Sequence, residues 1–124
     1  MQFTKAEEEV MKYLWQFKSC YMKDLIAAYP EPRPAYTTVA TLVSRMVDKG
    51  YIGFEQRGSV REYYPKVKKE FYFKGRLNEM ISNFFDNSAG QFASFFTGNT
   101  ELKESELEEL QELIAQKLKE KKNG

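Results

Sequence analysis

Apolar residues recur at helical spacing early in the chain. Val10, Met11, Leu14, Trp15 and Phe17 alternate with Glu7, Glu8, Glu9, Lys12 and Gln16. That periodicity predicts an amphipathic helix. Thr4, followed three positions later by Glu7, supplies a capping box at its start. The pattern breaks at Lys18-Ser19-Cys20 and resumes through Met22, Leu25 and Ile26 as far as Tyr29. Pro30, Pro32 and Pro34 then fall within five residues. Proline lacks the amide proton that a helix interior needs, so this segment is a stiff connection. A third helix is predicted from about Ala35 to Lys49, stopped by Gly50, a residue suited to the left-handed position after a helix. Val39, Leu42, Val43, Met46 and Val47 form its apolar stripe. Thr37, Thr38, Thr41, Ser44, Arg45 and Asp48 form a short polar side.

The periodicity then changes. Ile52–Arg57 and Val60–Pro65 read as two strands flanking Gly58-Ser59, a pair suited to a II′ hairpin turn, with Arg57 and Arg61 on either side of it. Beyond Val67 the helical period returns. Phe71, Phe73, Leu77, Met80, Ile81, Phe84 and Phe85 share one broad face that ends at Asn87–Gly90. A short apolar piece, Phe92–Phe96, stops at Gly98-Asn99. A last helix is predicted from about Glu104 to Lys122, with the stripe Leu107, Leu110, Leu113, Ile114 and Leu118.

Helix, helix, proline turn, helix, hairpin is the layout of a winged helix-turn-helix, whose third helix enters the DNA major groove while the hairpin forms the wing. The expected fold is therefore mainly α with a small β-hairpin wing. Residues 1–68 are expected to form the DNA-binding domain and residues 69–124 a helical dimerisation region. Thr37, Thr38, Thr41 and Ser44 are short enough to bring the helix close to base edges. Their hydroxyls can donate or accept, and a threonine methyl can pack on the thymine methyl. Arg45 offers a planar fork of donors to a guanine or a phosphate. Arg57 and Arg61 are placed for phosphate or minor-groove contact. The competing reading is a winged helix that binds another protein and leaves those threonines as solvated surface. In the second half, Phe73, Leu77, Ile81, Phe84, Leu107, Leu110, Ile114 and Leu118 present more apolar surface than a three-helix head can cover. A two-fold homodimer is the commonest way to bury such a surface.

Composition narrows the chemistry. The 124 residues carry 19 Lys plus Arg against 18 Asp plus Glu, and contain no histidine and one cysteine, Cys20. Without histidine there is no Ser-His-Asp or Cys-His nucleophile system, and a His/Cys zinc site lacks its ligands. The carboxylates alternate with lysines on helix faces, as solvated surfaces do, and no glycine-rich phosphate loop is present, so an enzyme is not expected. No metal or cofactor is expected either. The start of the chain lacks the apolar core of a signal peptide, and no apolar run is long enough to span a bilayer, so a cytoplasmic protein without membrane insertion is expected. The near-zero total charge hides a polarity. Residues 1–68 hold 11 basic and 8 acidic side chains, whereas residues 69–124 hold 8 and 10.

Several strings carry a family resemblance. They are Thr4-x-x-Glu7-x-x-Val10-Met11-x-x-Leu14-Trp15, then Tyr36-x-Thr38-Val39-x-Thr41-Leu42-x-x-Arg45-Met46-x-x-Lys49-Gly50, then the Tyr64 and Pro65 that follow the wing, and finally Leu102-x-x-x-Glu106-Leu107-x-x-Leu110. In order and spacing the chain resembles the penicillinase-repressor (BlaI/MecI/CopY) family of bacterial winged-helix transcriptional regulators. The resemblance implies a dimeric repressor of a palindromic double-stranded DNA operator, controlling β-lactamase or related genes and paired with a membrane sensor-protease. By the same analogy Thr38, Thr41 and Arg45 match the recognition helix. The copper-responsive branch uses C-terminal cysteines, and none follows Cys20, so copper sensing is not expected. The antibiotic-responsive branch is cleaved at an Asn-Phe bond just before the last helix. The corresponding candidate protease-sensitive site here reads Phe95-Phe96, a departure from that pattern.

Overall fold

In a computed structural model describing residues 1–124, the chain forms two compact units, 1–78 and 79–124. The first contains α1 (Lys5–Phe17), β1 (Cys20–Tyr21), α2 (Met22–Ala28), α3 (Tyr36–Asp48), β2 (Ile52–Arg57) and β3 (Val60–Pro65). Helix α4 (Lys69–Phe84) begins in it, and α5 (Ala89–Asn99) and α6 (Glu104–Asn123) belong to the second. This is a winged helix followed by C-terminal helices.

Each element of the head follows from local chemistry. The Thr4 hydroxyl accepts from the Glu7 N–H at 3.1 Å, and the Glu7 carboxylate accepts from the Thr4 N–H at 2.9 Å. The expected capping box is therefore closed. At the other end Lys18 takes a positive φ of 70° and its N–H returns to the Leu14 carbonyl, so α1 stops there. Gly50, at φ 83°, ends α3 as expected. In the hairpin Gly58 carries φ 65° while Ser59 does not have positive φ, the combination of a II′ turn. The register runs from Ile52↔Pro65 to Arg57↔Val60, leaving only Gly58-Ser59 to turn the chain.

The sheet has a third strand that the periodicity did not reveal. β1 pairs antiparallel with β3, Cys20 opposite Tyr63 and Tyr21 opposite Glu62, giving the order β1-β3-β2. Two residues are too few to generate an alternation. Gly53 lies opposite Tyr64, and a Cβ added there would meet the Tyr64 ring within 2.5 Å. The glycine leaves the surface on which that ring lies.

Val10, Met11 and Leu14 of α1, Leu25 of α2, Val39, Val43 and Met46 of α3 and Ile52 of β2 are fully enclosed. Phe17, counted in the α1 stripe by spacing, is instead exposed. The start of α4 is sewn onto this core. Tyr72 stacks on Phe3 at 4.4 Å, its hydroxyl receives the Phe3 N–H and donates to Glu8, and the Trp15 indole N–H donates to the Val67 carbonyl. That aromatic packing carries the first unit ten residues past the change in charge at residue 68.

One buried charge ties the ends of two helices. Glu7, 4% exposed, pairs with Lys49 at 2.8 Å, linking the first turn of α1 to the residue capping α3. Burial alone would push the Glu7 carboxyl up. The Lys49 ammonium and the Thr4 N–H outweigh it and hold the carboxyl below its ordinary value of 4.5. A carboxyl more acidic folded than unfolded stabilises the fold above the unfolded value, and this contribution is lost as the pH falls through the folded one. Glu7→Gln, which keeps the cap geometry, is expected to lower stability by about 1 kcal/mol at pH 7, a small value because Lys49 stays half in solvent. Urea unfolding at pH 7 and below pH 4 should show the gap between wild type and variant shrinking in acid.

Candidate nucleic-acid interface

Burying Val39, Val43 and Met46 turns the remainder of α3 outward. Thr37, Thr38, Thr41, Ser44 and Arg45 are all exposed. At 100° per residue they occupy a stripe about 120° wide, and from 37 to 45 it runs about 12 Å. The B-DNA major groove is about as wide. Arg45 makes no ion pair and stands free at the C-terminal end of the stripe. Lys49, one turn on, is engaged by Glu7 and lies 5.8 Å over the Tyr51 ring.

The wing distributes its charge differently from the sequence expectation. Both turn arginines are exposed, but Arg57 is held at 2.7 Å by Glu55 and at 3.2 Å by Glu62. The Glu62 hydrogen bond and the Glu55 charge push its guanidinium further toward the protonated form. Its charge is answered within the hairpin. Arg61 has no acid partner and lies over the Phe54 ring at 4.0 Å. Gln56 donates its side-chain amide to the Gly58 and Val60 carbonyls, closing the turn from one side.

Between the start of α3 and the wing lies a cleft of about 790 Å³. Arg61 lines it, while Arg57 and the α3 residues from Thr37 onward do not. Sequence reasoning missed its other polar walls: Tyr21, Lys23, Tyr36, Gln56 and Ser59. Tyr36 is the first residue of α3 and 60% exposed, a signal readable from its place just after Pro34-Ala35. Tyr21 and Lys23 enter through β1 and the first turn of α2, which only the three-dimensional pairing brings beside the wing. Hydroxyl, ammonium and guanidinium donors lining one groove suit a sugar-phosphate backbone.

The penicillinase repressor family matches residues 3–116. The chain belongs to the penicillinase repressor family. It is similar to the penicillinase repressor of Bacillus licheniformis, 24% identical over 122 residues covering 98% of this chain and 95% of that protein. It is also similar to the methicillin resistance regulatory protein MecI of Mammaliicoccus sciuri, 25% identical over 129 residues, with 94% of this chain and 95% of the relative covered. MecI of Staphylococcus aureus strain N315 is 24% identical over the same length and coverage.

The apolar set expected to pair copies of this family member is distributed over both units. In the first, Phe73 rests against Trp15 at 5.8 Å and Tyr72 at 5.2 Å and is 44% exposed, and Leu77 is 40% exposed. In the second, Phe84 is 79% and Ile114 67% exposed, Leu107 and Leu118 are exposed, and Ile81 and Leu110 are half-buried. No residue of α5 or α6 is buried. Phe95 and Phe96 lie in the middle of α5, not in a loop. Phe95 packs 5.3 Å from Phe85 and Phe96 stacks on Phe92 at 6.1 Å.

Cys20 lies in β1, 5% exposed. Burial, with the charges of Asp24 and Glu62, pushes its thiol up from 9.0 to about 11. Since the thiolate is the reactive form, alkylation of the native protein by iodoacetamide at pH 8 should run roughly a hundredfold slower than in urea. Mass spectrometry of quenched time points measures both rates.

Proposed function

We propose that this penicillinase repressor family member is a dimeric transcriptional repressor that binds a palindromic operator through α3 and the wing cleft. The observation that carries the reading is the α3 stripe: five exposed, mostly short polar side chains, backed by a fully enclosed apolar face and about as long as the major groove is wide. Thr37, Thr38, Thr41 and Ser44 approach base edges, and Arg45 supplies the long donor. Arg61, Lys23 and Tyr36 hold the backbone. Arg57 contributes less, because a phosphate would have to displace two carboxylates that already surround it.

The names of the relatives point to β-lactamase or related resistance genes as targets. A membrane sensor-protease is the corresponding partner. Cleavage at Phe95-Phe96 requires α5 to unwind first, because proteases take extended chain. The exposed apolar stripes at the end of α4 and along α6 support a second copy as their cover, and a dimer places two α3 helices on two half-sites. No helix is long and apolar enough to cross a membrane.

Arg45→Ala should weaken binding to DNA from upstream of the protein's own gene by about 1–3 kcal/mol, whereas Arg57→Ala should change it by about 0.5 kcal/mol or less. Fluorescence anisotropy at fixed salt measures both, and wild-type affinity that does not fall with added salt would refute DNA binding. Light scattering after size exclusion should give a dimer mass for wild type and a monomer mass for the Phe84→Glu, Ile114→Glu double variant. A wild-type monomer at micromolar concentration would end the dimer reading.

A further inference from the structure

The polar stripe of α3 is bordered on one side by a row of a different kind. Residues four apart on a helix are neighbours, each turned by about 40° from the last. Thr37, Thr41 and Arg45 make one such row, and Tyr36, Ala40 and Ser44 make the next. Tyr36 lines the cleft beside the wing, which places the head of its row on the wing side of the helix.

The two rows offer different chemistry. Thr37, Thr41 and Arg45 end in hydroxyls and a guanidinium. Tyr36 and Ala40 set an aromatic ring beside a methyl group. Tyr36 is 60% exposed. Its ring meets no other ring, and its hydroxyl has no hydrogen-bond partner within the protein. Ala40 is half-buried against the core, so its methyl lies low on the helix surface. Cβ bonds tilt toward the helix N-terminus, which turns that methyl to the Tyr36 side of the row. A tall ring and a low methyl, with Cβ atoms about 6 Å apart, bound a shallow apolar notch.

One group in the DNA major groove matches it. The C5 methyl of thymine is the apolar group that a base pair shows there, and alanine and aromatic side chains are its usual partners. That methyl stands at the outer edge of the groove, beside its own sugar-phosphate strand. A tyrosine on the wing side of the helix can therefore meet it with the ring while the hydroxyl donates to a phosphate of that strand. The ring contact depends on the base, and the phosphate contact does not.

On the basis of the operator reading above, we propose that Tyr36 and Ala40 are specificity-determining residues that receive the C5 methyl of one thymine in each half-site. The threonines and Arg45 read hydrogen-bonding edges, and this pair reads shape.

Uracil is thymine without that methyl, so it probes the notch alone. DNA from upstream of the protein's own gene, with sparse uracil in place of thymine, is partitioned by the full-length protein into bound and free fractions and then cleaved at uracil. We expect uracil at one thymine of each half-site to be depleted from the wild-type bound fraction by about three- to fivefold, the worth of one buried methyl. Tyr36→Phe should bind more weakly overall yet keep that depletion, because it loses the phosphate contact alone. Tyr36→Ala and Ala40→Gln should each erase it there, while uracil effects at other thymines stay as in wild type and show that the variants are folded. A wild-type complex indifferent to uracil at every thymine overturns the proposal and leaves the repressor reading standing. So does Tyr36→Ala or Ala40→Gln with the wild-type pattern, or Tyr36→Phe without it. Wild type with no affinity for this DNA overturns both.

Discussion

A helix can be rotated about its axis in only one way once three of its side chains are enclosed. Val39, Val43 and Met46, at i, i+4 and i+7 on α3, have no remaining access to solvent and face Val10, Met11 and Leu14 of α1 and Leu25 of α2. That packing decides which residues the protein shows to its surroundings. A quarter turn would bury Thr38 and Thr41 hydroxyls without partners and expose valines, costs of several kcal/mol in a domain of ordinary marginal stability. The polar stripe is therefore a product of the core, and no contact on the outer face is needed to keep it there.

Formal charge and available charge diverge in the head. The sequence places several cations between Arg33 and Lys68, and three of them are engaged by carboxylates. Arg33 pairs with Glu31, Lys49 with Glu7, and Arg57 with Glu55 and Glu62. Without an ion pair in that stretch are Arg45 on the helix, Arg61 beside the wing cleft, and Lys66 and Lys68 after the hairpin. A count of basic residues therefore overstates the field that a polyanion would meet.

The helices and the hairpin were legible because their signals are local. The capping box at Thr4 and Glu7, the Gly50 stop and the Gly58 turn each act within four residues, and the strand limits at 52–57 and 60–65 follow from that turn. The exposed α3 residues were legible because period and core agree. What the sequence hid was non-local. β1 exists only because Cys20 and Tyr21 find β3 more than forty residues away, so Tyr21 and Lys23 could not be placed beside the wing. The engagement of Arg57 depends on Glu62 lying across the hairpin, and nothing in a run of residues distinguishes it from Arg61. Phe73, grouped by spacing with the apolar face beyond residue 68, and Tyr72, which that spacing left out, are drawn to the head by Trp15 and Phe3, again pairings across more than fifty positions.

The way the hairpin is closed has an evolutionary consequence. Its turn is shaped by the backbone of Gly58 and latched by the Gln56 side chain onto two carbonyls. The side chains of Ser59 and Val60 are exposed and take no part in the latch, which uses only backbone carbonyls. Neither side chain is needed to hold the turn. New contacts at the outer end of the wing can thus be tried one substitution at a time, while the strands beneath and the helix beside them stay as they are.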